Sequence, residues 1–129
     1  MNKILVEVSV GELLDKISIL EIKQEKIKDP EKLKFINEEH SILKDQLNNK
    51  VKSDQKLNEL FESLKQINAK LWVIEDDKRQ CEKEKDFTEA FIKLSRDVHF
   101  LNDDRAKIKL EINNHTGSKI QEIKEYTSY

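Results

Sequence analysis

Residues 87–112 read FTEAFIKLSRDVHFLNDDRAKIKLEI, with apolar side chains at Phe87, Phe91, Leu94, Val98, Leu101, Ile108 and Ile112. That alternation of four and three is the heptad spacing of a helix lying against another helix. Arg105 takes the one seam position where an aliphatic residue is due. Upstream, Leu57, Leu60, Leu64, Ile67, Leu71, Ile74 and Cys81 form a matching seam, with Phe61 alongside. The two seams predict an antiparallel hairpin turning near Lys85 and Asp86, with arms of about 30 residues or roughly 45 Å. Asp86-Phe87-Thr88-Glu89 reads as a capping box for its second arm, and Gly117 as its C-terminal cap.

A second, shorter hairpin precedes it. Ser9-Val10-Gly11-Glu12 is a capping box, in which the Ser9 hydroxyl accepts from the third helical amide and Glu12 reaches back. The helix it opens runs to about Lys28, with Leu13, Ile17, Leu20 and Ile27 on one face. Leu14, Ile19 and Ile22 widen that face, so this helix meets more than one neighbour. Asp29 and Pro30 cap and begin the next helix, which carries Leu33, Ile36, His40, Leu43 and Leu47 and ends at Asn48-Asn49. Ser53 or Asp54 caps the third helix. Acid-first pairs at i, i+4, among them Glu12 with Lys16 and Glu75 with Arg79, support the exposed faces. The fold class is therefore all-α: two antiparallel hairpins forming a four-helix bundle. One domain spans 1–129, with an N-terminal arm at 1–8 that Ile4 to Val8 make extended or an edge strand. A polar tail covers 118–129, with a turn of helix around Ile120 and Ile123.

The chain has 129 residues, enough for one core. Charged residues make up 39% of it, yet the net charge is −2, and there are two Gly and one Pro. Near-cancelling charge on long helices describes solvated helix faces rather than a disordered polyelectrolyte. It also leaves no positive excess to meet the phosphates of nucleic acid, so no nucleic-acid partner is expected. Cys81 is the single cysteine; no intrachain disulfide can form, which suits a reducing compartment. Ile4-Leu5-Val6 is too short for a signal peptide, and no run of ~18 apolar residues exists for a membrane span. The expected setting is cytoplasmic, with no membrane partner.

Polar residues follow the seam at helical spacing: Asn68, Trp72, Glu75 and Arg79, then His99, Asn102 and Lys109. With the turn near Lys85, facing residues have numbers summing to about 171. Glu75 then falls opposite Arg96, Trp72 opposite His99, and Asn68 opposite Asp103, with Asn102 and Arg105 within a turn. Of 24 Lys and Arg only three are Arg, namely Arg79, Arg96 and Arg105, and all three sit in this hairpin. The guanidinium fork binds carboxylate or phosphate bidentately, which Lys cannot imitate. The plainer reading is a set of interior ion pairs fixing register. The sharper one is a polar pocket for a small anionic ligand, with Trp72 as one wall. Catalysis is the remotest, in the style of chorismate mutases, with Arg and Lys inside a bundle clamping an anionic substrate.

No cofactor or metal is expected. Di-iron bundles use Glu-x-x-His, whereas Asn37, Arg96 and Ile112 stand three before His40, His99 and His115. Glu75-Asp76-Asp77 and Asp103-Asp104 read as solvated faces. Cys81 has no histidine at fixed spacing to make it a nucleophile.

The chain resembles an uncharacterised bacterial family of short all-helical proteins, a domain of unknown function. The likeness rests on Val8-Ser9-Val10-Gly11-Glu12-Leu13-Leu14-Asp15-Lys16, Ile19-Leu20-Glu21-Ile22-Lys23 and Leu71-Trp72-Val73-Ile74-Glu75-Asp76-Asp77. It continues through Asp86-Phe87 and Asn102-Asp103-Asp104-Arg105-Ala106, with Lys109, Ile112, Asn113 and Gly117-Ser118. The resemblance draws Asp15 and Lys16 into the candidate set. It implies a role near surface-glycan assembly, since such proteins are often encoded among glycan genes, and it brings no established activity. This chain departs from the family's usual run in its abundance of Lys and in its ending, Glu125-Tyr126-Thr127-Ser128-Tyr129. Since the second hairpin outreaches the first, a homodimer is expected, binding a partner protein or a small polar ligand rather than catalysing a reaction.

Overall fold

In the computed structural model, which describes residues 3–129, four helices follow one another: α1 (Val10–Lys26), α2 (Pro30–Lys50), α3 (Gln55–Glu84) and α4 (Glu89–Thr116). They pack as a four-helix bundle, and among the described residues there is no strand. Of the N-terminal arm expected at 1–8, residues 1 and 2 lie outside the described residues. The rest forms neither helix nor strand, and Ile4, Leu5 and Val6 face solvent.

The caps are local chemistry. Ser9 Oγ accepts from the Glu12 amide at 3.0 Å, but Glu12 does not reach back; its carboxylate goes to Lys109 of α4. Asp29 caps α2 with Pro30 in the first turn, and Asp54 Oδ1 accepts from the Leu57 amide at 2.8 Å to begin α3. The Asp86 capping box does not form. Asp86 instead accepts from the Thr88 amide (3.1 Å) and hydroxyl (2.5 Å), a tight turn of its own, and α4 begins at Glu89. Lys85, left-handed at φ 57°, ends α3 just before Asp86, and Thr88 rather than Asp86 holds the N-cap position of α4.

α1 is the central element, approaching α2, α3 and α4 alike. This explains its wide buried face of Leu14, Ile17, Leu20 and Ile22. It runs antiparallel to α2, where Glu21 meets His40 (3.1 Å) and Gln24 meets Asn37 (3.0 Å). It also runs antiparallel to α4, where Glu12 meets Lys109 and Asp15 meets Arg105. α2 is outermost, with no fully buried residue, and Lys44 lies over the Phe61 ring of α3 at 5.9 Å.

The core sits at the proximal end, where Leu14, Leu57, Leu60, Leu64 and Ile112 meet, with Val10, Leu47, Val51, Phe61 and Ile108 around them. Further along, α3 and α4 continue as a pair. Phe91, Leu94, Val98 and Leu101 are only half-buried there, although they hold the expected seam positions. α1 has 17 residues against 30 in α3, about 25 Å against about 45 Å. The hairpin tip therefore has no third helix to close on.

Residues 118–129 form no helical turn around Ile120 and Ile123. Gly117, left-handed at φ 67°, ends α4. The tail then folds back along α4, held by Ser118 Oγ accepting from the Val10 amide (3.2 Å), by Glu122 on Lys109 and by Tyr129 on Asp103. Side-chain anchors to α1 and α4 hold it where a short helix would have needed its own apolar face.

Candidate functional site

Gly11, Asp15, Ser18 and Ile22 recur along α1 at 4-3-4 spacing, one inward face on which two members are polar. Asn68 arrives from α3, and Arg105 and Lys109, one turn apart, from α4. All meet at Asp15, which is 2% exposed. Arg105 Nε donates to Asp15 Oδ1 at 2.9 Å, and Arg105 Nη2 donates to Oδ2, a bidentate fork. Asn68 Nδ2 donates to Asp15 Oδ1 (2.9 Å) and to Ser18 Oγ (2.7 Å), while Ser18 donates to the Asp15 carbonyl (2.7 Å). Lys109 Nζ, 8% exposed, lies 2.8 Å from Glu12, 2.8 Å from Glu122 and 3.9 Å from Asp15. Among the described residues, every buried side-chain nitrogen and oxygen has a partner.

Close backbone approach makes this possible. The Gly11 amide donates to Asn113 Oδ1 at 2.7 Å. A Cβ on Gly11 would stand 2.6 Å from the Lys109 carbonyl oxygen and 2.9 Å from Asn113 Oδ1. Gly11 thus sets how near α1 comes to α4, and so whether the Arg105 fork reaches Asp15.

The electrostatics follow from burial and pairing. Burial alone would raise the Asp15 carboxyl. Hydrogen bonds from Arg105 and Asn68, with the charges of Arg105 and Lys109, outweigh it and hold Asp15 below the ordinary range. Burial would lower Lys109, but Glu12 and Glu122 raise it. The hydrogen bond to Asp15 raises Arg105, and Lys109 lowers Glu122. All four shifts favour the charged forms of Asp15, Glu122, Arg105 and Lys109.

Of the sequence-derived candidates, Asp15, Asn68, Arg105 and Lys109 come together. Trp72 is half-buried outside the cluster, and Asn102 joins none of its hydrogen bonds. Lys16 is on the surface, 3.9 Å from Glu12. Glu75, Arg79, Arg96 and His99 are exposed, and Glu75 and Arg96 form no ion pair with each other. The two helices do meet at the expected level, since Lys78 lies over Phe91 at 5.8 Å, but these side chains point away from the seam. With no third helix at that height, long charged side chains gain more from water than from pairing. Arg96 rests instead over the Phe100 ring, 6.0 Å away. Of the three arginines, only Arg105 enters the interior. Ser18, Asn113, Glu12 and Glu122 belong to the site although the apolar seams do not single them out; for Ser18, the 4-3-4 spacing it shares with Gly11, Asp15 and Ile22 is the signal that could have found it.

Among the described residues, three of the recesses that adjoin the bundle stand out. One of about 580 Å³ lies at the proximal end by Lys50, Asp54 and His115, where His115 and Asp54 pair at 2.9 Å. One of about 170 Å³ lies under the tail by Lys107, Lys109 and Lys124. The third, of about 640 Å³, is apolar and lies on the distal hairpin between Val73, Ile74, Phe100 and Leu101. Among the described residues, no three of His, Cys, Asp and Glu gather to hold a metal ion, and no helix is long and apolar enough to cross a membrane.

Fold and cluster together define a helical bundle pinned by a buried carboxylate that three helices share. The chain belongs to a family of unknown function, DUF6165, whose model matches residues 4–129. No curated protein and no solved structure matches it.

Proposed function

We propose that this protein is a non-enzymatic association module: its proximal half is a locked scaffold, and its distal hairpin is the surface that binds a protein partner. One observation carries the reading. The cations of the interior cluster are engaged by the chain's own carboxylates, while the distal hairpin leaves an apolar groove open. A chorismate-mutase-style clamp needs free donors aimed at an anion, and the Arg105 Nε and Nη2 are held by Asp15. The proposed setting is the cytoplasm, which suits the single Cys81; burial pushes its thiol up, away from the reactive thiolate. Surface-glycan assembly, implied by the resemblance, is the process in which the partner is sought.

The test replaces Phe100, or Lys16 as a control, with a photo-crosslinking amino acid in the full-length chain inside cells. A discrete adduct at position 100 and none at 16 is the expected result. Absence of an adduct at 100 would overturn the reading. So would thermal stabilisation by an anionic metabolite that disappears in Arg105→Met.

A further inference from the structure

We infer that the occupant of the distal groove is a second copy of this chain, seated across a two-fold axis. The inference rests on the association reading above and names its partner. The groove lies between Ala69, Lys70, Val73 and Ile74 of α3 and Asp97, Phe100 and Leu101 of α4. Val73 is 47% and Phe100 45% exposed at its centre.

Two independent features select a second copy. The first is area. The chain presents 9680 Å² to solvent, whereas a compact monomer of 15.3 kDa presents about 7,100 Å². The excess is larger than the roughly 800 Å² per partner of a standard interface, and the exposed arm and tail share in it. The second is charge. A two-fold interface sets one patch against itself, so the patch must be self-complementary. Here the apolar centre is flanked by one cation and one anion; the antiparallel register that sets Lys78 over Phe91 puts Lys70 near the level of Leu101 and Asp97 near that of Ile74, at opposite ends. A two-fold axis in the plane of the groove, midway between them, brings Lys70 of each copy onto Asp97 of the other. Among the described residues, Asp97 is bound in the single chain only by the exposed Lys93, at 2.9 Å, a surface contact that is readily exchanged.

Sedimentation velocity on the full-length chain, from about 1 to about 100 µM, tests this. The wild type is expected to dimerise in that range, and Val73→Glu to weaken dimerisation more than about tenfold by burying a charge in the apolar centre. Lys70→Asp and Asp97→Lys should each weaken it about tenfold, because two exposed pairs turn from attraction to repulsion. Mixing the two single variants restores both pairs, so the mixture should dimerise as the wild type does. All three positions are on or near the surface, and matching helical circular dichroism and melting confirms that the variants fold. A wild type that stays monomeric overturns the inference, as does a dimer indifferent to Val73→Glu or a mixture that fails to recover. Tyr129 of the tail meets the Phe100 ring edge-on at 5.5 Å, so dimerisation appearing only in Tyr129→Ala would make the tail the groove's occupant and also overturn the inference. The association reading fails separately: a position-100 adduct to a different protein removes the second copy and keeps the surface, whereas no adduct removes both.

Discussion

Asp15 brings a carboxylate to a place shared by α1, α3 and α4, and its cost there is set by what closes on it. Burying an ion is expensive unless it is paired and its remaining lone pairs are hydrogen-bonded. Arg105, Asn68 and Lys109 meet both conditions. Removing one partner should therefore be worse than its surface-pair value. Asp15→Asn leaves Arg105 and Lys109 facing a neutral amide and is expected to cost about 3 kcal/mol in urea unfolding. Arg105→Met, whose side chain keeps about a quarter of its surface in water, should cost about 2 kcal/mol for the same reason. The pH profile follows from the same contacts. Asp15 and Glu122 sit lower when folded than unfolded. Their contribution is therefore present above the unfolded values of about 3.9 and 4.3 and is lost as pH falls through the folded ones. Lys109 is raised, so its share is present below about 10.4 and lost as pH rises through its folded value. Thermal melts across pH should show an acid-side fall that Asp15→Asn flattens. Arg105 is legible in the sequence because a charge on a regular apolar seam is conspicuous. Asp15 is not legible from the apolar seam alone: it sits one residue off Leu14, where charge is ordinary, and only its 4-3-4 spacing with Gly11, Ser18 and Ile22 marks it as inward.

At the scale of the element, boundaries are readable where a single side chain sets them. Ser9, Asp29, Asp54 and Gly117 each act on amides or carbonyls within three or four residues, so local sequence is enough. The start of α4 escapes such a reading because its turn depends on Lys85 adopting a left-handed conformation, which Lys does not advertise. The tail escapes it because its anchors, Lys109 and Asp103, lie far from it in sequence. The two glycines work differently. Gly117 has a positive φ, and nothing lies within 4 Å of where an added methyl would stand, so Gly117→Ala is expected to cost about 1 kcal/mol from backbone strain alone. Gly11→Ala should cost about 2 kcal/mol by driving α1 off α4. It should also lengthen the Arg105–Asp15 contact, so its acid-side profile should resemble that of Asp15→Asn. Asp54→Ala loses the α3 cap and the His115 contact, and is expected to lower the midpoint of chemical denaturation.

The whole molecule is two structures end to end. Proximally, three helices enclose aliphatic side chains and a fully partnered charge cluster; distally, two helices share a seam that neither can cover. Heptad spacing reveals both seams but not where the third helix stops, and the exposure of Glu75, Arg96 and His99 depends on that. The difference in enclosure predicts a difference in local stability. Native-state hydrogen exchange, followed along the chain at about 1 and about 100 µM, measures it directly. Amides of α1 and of α4 around residues 105–113 should be protected to the global limit at both concentrations. Amides at 73–84 and 89–100 should exchange sooner when dilute and gain protection when concentrated. Equal protection along the whole of α3 and α4, unchanged by concentration, would contradict the division into a locked half and an associating half.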